Sequence, residues 1–202
     1  MYPQPAPPAR FLVISGPSGA GKSTLMGRLL LARGDLVRCL SVTTRPPRGQ
    51  ERDGVDYHFS TPESFAAQVA AGAFLEHATV FGRHSYGTLR AVVAGHLTAG
   101  RSVIKDVDVQ GAAQIRATFP EAVQVFVAPT SRSEIERRLR SRATDSEEVI
   151  ALRLTEADAE LARWREYDYL VINDGLDRAV ADLSAILDAE RLRINPKSPP
   201  TH

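Results

Sequence analysis

Gly16-Pro-Ser-Gly-Ala-Gly-Lys-Ser23 is the stretch that decides the fold of this chain. It has the form G-x-x-x-x-G-K-[ST]. It lies between a short apolar run, Phe11-Leu-Val-Ile14, and Leu25, Met26, Leu29 and Leu30 at helical spacing, with Gly34 as a helix stop. A buried strand before and a helix after form the context in which such a loop cradles phosphate. Its glycines let consecutive backbone N–H groups turn toward one anion. The helix N-terminus adds unpaired donors and the positive end of a dipole. Lys22 can reach β/γ phosphates, and the Ser23 hydroxyl can ligate Mg²⁺. This reading assigns Gly16, Pro17, Ser18, Gly19, Ala20, Gly21, Lys22, Ser23 and Thr24 to a nucleoside triphosphate. It does not choose between a kinase, a GTPase and a motor.

Outward from the loop, apolar strands alternate with helices. Val103-Ile104 with Val107, Val123–Val127 and Tyr169–Ile172 read as further strands. Thr61-Pro62-Glu63 is a helix start, with Phe65, Val69 and Ala73 on one face. Ser133 and Glu136 suggest a capping box for an arginine-rich helix. A second helix is expected from about 146 to 163. Val180, Leu183, Ile186, Leu187 and Leu192 mark a terminal amphipathic helix. Such alternation predicts a parallel sheet covered on both faces. Two polar insertions, about 41–92 and 131–157, begin where strands end, so they can flank one cleft at the carboxyl edge of the sheet.

The chain has 202 residues, 43% of them apolar and 24% charged, which is the composition of a globular domain. Lys+Arg is 25 against Asp+Glu 24, a balance that gives no support for a nucleic-acid binder. No apolar run approaches the ~18 residues of a membrane span, and the N-terminus is not a secretory signal. Cys39, the single cysteine, excludes an intrachain disulfide and is expected to be a buried thiol in a reducing cytoplasm. Residues 1–9 hold four prolines and, like 195–202, read as extended tails around one domain at 10–194. Periodicity leaves monomer and homo-oligomer equally open.

The first insertion carries Ser41-Val-Thr-Thr-Arg-Pro-Pro-Arg48, then Glu51, Asp56 and Tyr57. Arg45 and Arg48 suggest a stiff anion clamp, because the guanidinium fork matches phosphate oxygens. Glu51 can hold an arginine in place, and Tyr57 and Tyr86 can add hydroxyl donors. Glu76 and Asp108 are candidates for reading a guanine. Its N1–H and N2 amine form a donor pair that adenine lacks, and Ser41 and Thr88 can donate to its O6. The alternatives for these residues are a solvated basic loop and surface acids.

GPSGAGKST, SVTTRPPR, DGVDYHF, FLEHA, YGT and DVDVQGA occur in one order over about residues 10–190, and in this the chain resembles the guanylate kinases. The resemblance implies an α/β fold: a P-loop doubly wound parallel sheet (10–40, 93–130 and 158–194) with an inserted GMP-binding subdomain and a helical lid. It implies transfer of the ATP γ-phosphoryl group to GMP, and to dGMP as well, with Mg²⁺. Arg45, Arg48, Tyr57 and Tyr86 would hold the GMP phosphate, with Glu51 behind them. Ser41, Glu76, Thr88 and Asp108 would read the base. Lys22 and the lid arginines Arg138, Arg142 and Arg153 would serve the transferring phosphoryl group, together with Arg45. Asp106 would stand near the metal with Ser23, directly or through water, and Asn173 near adenine. ATP and GMP are the partners implied, with no nucleic acid and no membrane.

Three departures stand out. Gly49-Gln50-Glu51 replaces the family's Pro-Gly-Glu, which is expected to loosen the clamp loop. Gly82–Tyr86 is one residue longer than usual, which bears on the reach of Tyr86 and Thr88. Lys105 stands at an apolar strand position, so it is expected to face the phosphate cleft or an acid, since lysine is rarely buried unpaired. Two other functions compete: a binding module in which nucleotide chemistry is lost, and a kinase for another acceptor. The intact Gly21, Lys22 and Ser23 speak against the first, and the Glu76/Asp108 pair against the second.

Overall fold

The structure is a computed structural model that describes residues 8–80, 82–140 and 147–194; the statements below concern those residues. The tails at 1–7 and 195–202 lie outside them. In chain order the elements are β1 (Phe11–Ser15), α1 (Lys22–Ala32), β2 (Leu36–Arg38), β3 (Val42–Thr43), β4 (His58–Phe59), α2 (Pro62–Ala70), β5 (Phe74–Val80) and β6 (His84–Leu89). They continue as α3 (Arg90–Thr98), β7 (Ser102–Asp106), α4 (Val109–Thr118), β8 (Val123–Pro129), α5 (Arg132–Arg140), α6 (Glu147–Leu161), β9 (Tyr169–Asn173) and α7 (Leu176–Arg191).

The main sheet is parallel throughout, in the order β2-β7-β1-β8-β9. Both faces are covered, which is why its strands read as continuous apolar runs. Leu12 and Ile14 pack with Ile104, Leu25, Leu29 and Leu183 on one face. Phe11 and Val13 pack with Val103, Val93 and Ile115 on the other. Cys39 is buried in that second layer as a free thiol, and burial pushes it up to about 11. Among the described residues no helix is long and apolar enough to cross a membrane.

The first insertion forms its own sheet, β4-β3-β6-β5. Phe65 stacks on Phe74 beneath it, with ring centroids 4.6 Å apart. Helix α4 ties this sheet to the core. Gln114 brackets the backbone of His77, accepting from its N–H at 3.0 Å and donating to its carbonyl at 3.1 Å. The Thr118 hydroxyl donates to the Leu75 carbonyl at 2.7 Å. Glu76 lies between these two anchors.

Local readings divide. Thr61 caps α2 by accepting from the Ser64 N–H, with Pro62 in the first turn, while Ala73 falls beyond the helix end. Helix α1 ends in an extended Arg33, before Gly34. Helix α5 is capped by Ser131, which accepts from the Glu134 N–H at 3.2 Å, and not by Ser133. Val107 follows β7 instead of belonging to it. Leu183 and Leu187 of α7 are buried, but Leu192 sits past the helix and is 75% exposed.

Leu183, fully buried against the face of the sheet that carries α1, is expected to matter for folding alone. Leu183→Ala should cost about 2–5 kcal/mol. Urea titration should show a lower midpoint with an unchanged slope.

Candidate functional site

All five core strands end at one edge, and the functional side chains collect there. The loop after β1 is shaped by a close approach. A Cβ at residue 16 would lie 2.2 Å from the Val127 carbonyl oxygen, and φ there is +136°. Gly21 is left-handed at +89°, and a Cβ there would meet Asn173 Nδ2 at 2.6 Å. That buried amide donates to the Ala20 carbonyl at 2.8 Å, tying the end of β9 to the loop. Lys22 Nζ curls back to the carbonyls of Gly16 (2.5 Å) and Pro17 (3.0 Å). A cavity of about 540 Å³ lies against the loop, lined among others by Gly21, Thr24, Arg138, Asn173 and Gly175.

Asp106 ends β7, beside β1, and Ser23 Oγ donates to its Oδ2 at 3.3 Å. These are two hard oxygen donors, and no group of three acids, histidines or cysteines clusters among the described residues. Arg138 reaches the loop from α5: Nη1 donates to the Gly19 carbonyl at 3.2 Å and Nε to Glu134 at 2.6 Å. The other described arginines of α5 have acidic partners: Arg132 with Asp158, Arg137 with Glu134, Arg140 with Glu136 and Glu147. Arg153 lies half-buried on α6. Arg142 lies outside the described residues.

The second sheet presents a row of polar side chains. Glu76 pairs with Thr88 across β5 and β6, and Val42 with Gly87 across β3 and β6. Continuing that register, Ser41 stands beside Thr88. Residues opposite one another share a face, so Ser41, Thr88 and Glu76 form one row. Thr88 donates to Glu76 Oε1 at 2.6 Å in a buried contact. This differs from the expected use of Thr88 as a donor to a base, because its proton is spent on the carboxylate. Asp108 caps α4, its Oδ1 accepting from the Gly111 N–H at 2.7 Å. A Cβ at residue 111 would meet Asp108 Oδ1 and Glu76 Oε2, each at 3.4 Å, so the two carboxylates flank the same glycine. Burial holds the Glu76 carboxyl above its ordinary range, and the Thr88 hydrogen bond and the Lys105 charge oppose that shift.

Two residues further along the same face stands Tyr86, beside the clamp. Arg45 is 4% exposed. It donates to Glu51 at 2.9 Å and lies over the Tyr57 ring at 5.3 Å, and the Tyr57 and Tyr86 rings are 6.2 Å apart. Glu51 also accepts from the Arg48 N–H at 2.8 Å, and Arg45 holds the Glu51 carboxyl below its ordinary range. The clamp loop is therefore closed by Glu51 without the family's proline, with Gly49 at a φ of +54°. Arg48 is exposed. The extra length near Gly82 falls in the hairpin end: pairing runs unbroken from Val80 with His84 to Glu76 with Thr88.

Lys105 is 5% exposed and donates to Ser41 Oγ, with Glu76 close enough to feel its charge. It faces the acceptor side, not the phosphate loop. Glu134 holds Arg138 at i,i+4 spacing. Sequence reading missed one acid: Glu160, raised by burial, accepts from the Ser18 N–H at 3.3 Å, and nothing in the sequence pointed to it.

A phosphate loop at the carboxyl edge of a parallel sheet, with a second anion clamp on an inserted sheet, is the layout of a phosphotransferase built on the P-loop α/β fold. Comparison with known proteins narrows that class. A family model for guanylate kinase matches residues 8–190. A guanylate kinase of Anaeromyxobacter dehalogenans is 55% identical over 188 residues, 92% of this chain and 83% of that one. One of Alkalilimnicola ehrlichii is 47% identical over 95% of this chain and 94% of its own length. The crystal structure of guanylate kinase from Anaplasma phagocytophilum superposes with a TM-score of 0.72 at 32% identity, over 93% of this chain and 89% of that one. The chain belongs to the guanylate kinase family.

Gly21→Ala tests the loop. Strain at a left-handed position costs about 1–3 kcal/mol, and the added methyl displaces the Asn173 amide. The variant should remain folded by circular dichroism, melt at a lower temperature, and bind Mg-ATP at least about tenfold more weakly by calorimetry.

Proposed function

We propose that this protein transfers the γ-phosphoryl group of ATP to GMP, giving ADP and GDP. The observation that carries the reading is the pair Glu76 and Asp108 flanking Gly111, with Asp108 lining one pocket together with Gly16, Ser18 and Lys22 of the phosphate loop. Glu76 Oε2 and the uncommitted Asp108 oxygen are acceptors suited to the adjacent N1–H and N2 donors of guanine. A pocket built on such bonds rejects a base that leaves them unpaired.

The proposed roles join the contacts described above to the family resemblance, and Arg142, outside the described residues, takes its role from the resemblance alone. Arg45, Arg48, Tyr57 and Tyr86 hold the GMP phosphate, and Glu51 orients Arg45. The loop amides and Lys22 hold the ATP phosphates, and Asn173 borders the adenine side. Lys22 releases its contacts to Gly16 and Pro17 when phosphate oxygens replace those carbonyls. Ser23 and Asp106 would hold Mg²⁺, leaving its remaining positions to phosphate oxygens and water, the usual mode for this ion with nucleotides. When bound, Mg²⁺ supplies charge neutralisation to the phosphates. The GMP phosphate is already ionised near neutral pH, so no strong general base is needed. Positioning in line and charge compensation by Lys22, Arg45, Arg138, Arg142 and Arg153 supply the catalysis. Approach of α5 and α6 excludes water that would otherwise take the phosphoryl group. Buried Cys39, a free thiol, suits a reducing cytoplasm.

A coupled ADP-release assay with Mg-ATP tests the reading. Turnover with GMP and dGMP should far exceed that with AMP, CMP or UMP; turnover with another base instead would sink the guanine assignment. Arg138→Ala should lower kcat about 100-fold, with the KM for GMP nearly unchanged.

The pH dependence has a defined sign. Glu76 must be ionised to accept from guanine, and its pKa is raised above the ordinary 4.5. Acidification should therefore raise the KM for GMP through a step above that value. Glu76→Gln should remove the step and raise the KM about 100-fold at neutral pH. A step unchanged in the Gln variant would assign it elsewhere.

A further inference from the structure

Lys105 is a buried cation that phosphoryl transfer does not use. It sits at the carboxyl end of β7, in the layer that holds Val103, and is 5% exposed. A lysine is seldom buried unless something compensates its charge. Here the ammonium donates to Ser41 Oγ, and Glu76 is the acid whose charge it balances. The polar row of the second sheet thus meets an ammonium from β7 at one end and has a carboxylate at the other, with the hydroxyls of Ser41 and Thr88 between them.

Those two hydroxyls are in opposite states. A hydroxyl has one proton to give and two lone pairs. Thr88 donates its hydrogen bond to Glu76 Oε1 at 2.6 Å. Ser41 accepts a hydrogen bond from Lys105, which turns its own O–H away from the ammonium; that O–H has no protein acceptor among the described interactions and is left for a ligand. We propose that Lys105 is a specificity-determining residue of the acceptor pocket: by donating to Ser41 it turns the serine proton toward the 6-position of the purine, so that the pocket takes a 6-oxo group and refuses a 6-amino group. This rests on the guanine reading above and divides its labour. Glu76 and Asp108 read the N1–H and the 2-amino group, and Lys105 reads position 6 through Ser41. An amino group at position 6 would aim N–H donors at a donor and at a cation, whereas an oxo group meets both favourably.

The test measures kcat and KM, with saturating Mg-ATP, for GMP, IMP and the 5′-monophosphate of 2,6-diaminopurine riboside. IMP keeps the 6-oxo group and lacks the 2-amino group; the third nucleotide has amino groups at both positions. Lys105→Met should raise the KM for GMP and for IMP by the same factor, about tenfold, with kcat little changed. The KM for the diaminopurine nucleotide should not rise, so the preference for 6-oxo falls by that factor. Ser41→Ala added to Lys105→Met should change the KM for GMP by less than about twofold, because residues acting as a unit are not additive. Lys105→Gln keeps a neutral donor at similar reach and should retain most of the preference; it also carries the test should the Met variant not fold.

The proposal is overturned if the KM values for all three nucleotides rise together, if the preference survives in Lys105→Met, if Ser41→Ala acts independently of it, or if folded Lys105→Gln is as indifferent as the Met variant. The wild type separates this failure from a wider one. Wild-type turnover of GMP with an unmoved preference in the variants overturns the role of Lys105 alone. A wild type that phosphorylates none of the 6-oxo nucleotides overturns the guanine reading and this inference with it.

Discussion

The Val127 carbonyl oxygen occupies the place where any side chain at residue 16 would begin. That single contact fixes how the loop leaves the sheet. With β8 so close, the chain after Ser15 must turn at once instead of extending the ladder. Within the turn Glu160 takes the Ser18 N–H and the Pro17 carbonyl takes the Ala20 N–H. The start of α1 brings the positive end of its dipole to the same edge of the sheet, where it favours an anion. Asn173 fixes the other side of the loop through Ala20. Neighbouring strands thus both take part, β8 by excluding a side chain and β9 by a hydrogen bond.

A second constraint comes from α4. Its N-cap is Asp108, and its body grips β5 on both sides of Glu76. One helix therefore sets the spacing of two carboxylates, one at its own cap and one on β5. Asp108 commits one oxygen to the cap and Glu76 commits one to Thr88, which leaves each with a single oriented acceptor. Two like charges facing one pocket would repel, and the nearby Lys105 offsets them. Stability and specificity are linked here: the bonds that start the helix and pin the strand also aim the groups that face a ligand.

The parts of this architecture that are legible in the sequence are those where one force dominates. Phe11–Ile14 is buried on both faces, so it is apolar without a break, and the glycines after Ser15 follow from backbone geometry. Thr61-Pro62 announces α2 because cap and first-turn chemistry are local. What stayed hidden is where forces compete. β2 has three residues, and only Leu36 is buried within it. β5 and β6 alternate poorly because one face packs on Phe65 and Phe74 while the other holds polar groups for a ligand. α4 carries Gly111 within its first turn, where the carboxylates crowd it, so helical periodicity is weak. Ser131 and Ser133 are equivalent as caps until the path of β8 decides between them.

The site shows the same division. The phosphate loop could be read position by position because its chemistry is contiguous in sequence. The acceptor row could be named only through resemblance, because Ser41, Glu76, Thr88 and Lys105 meet through strand register and through the approach of β7 from the other sheet. Residue type alone misassigns such a row. Ser41 and Thr88 are both hydroxyls on one face, and each is able to donate or accept. Their neighbours decide. A carboxylate takes the proton of one, and an ammonium fills a lone pair of the other. The polarity of a hydroxyl in a buried row is thus set from the row's ends.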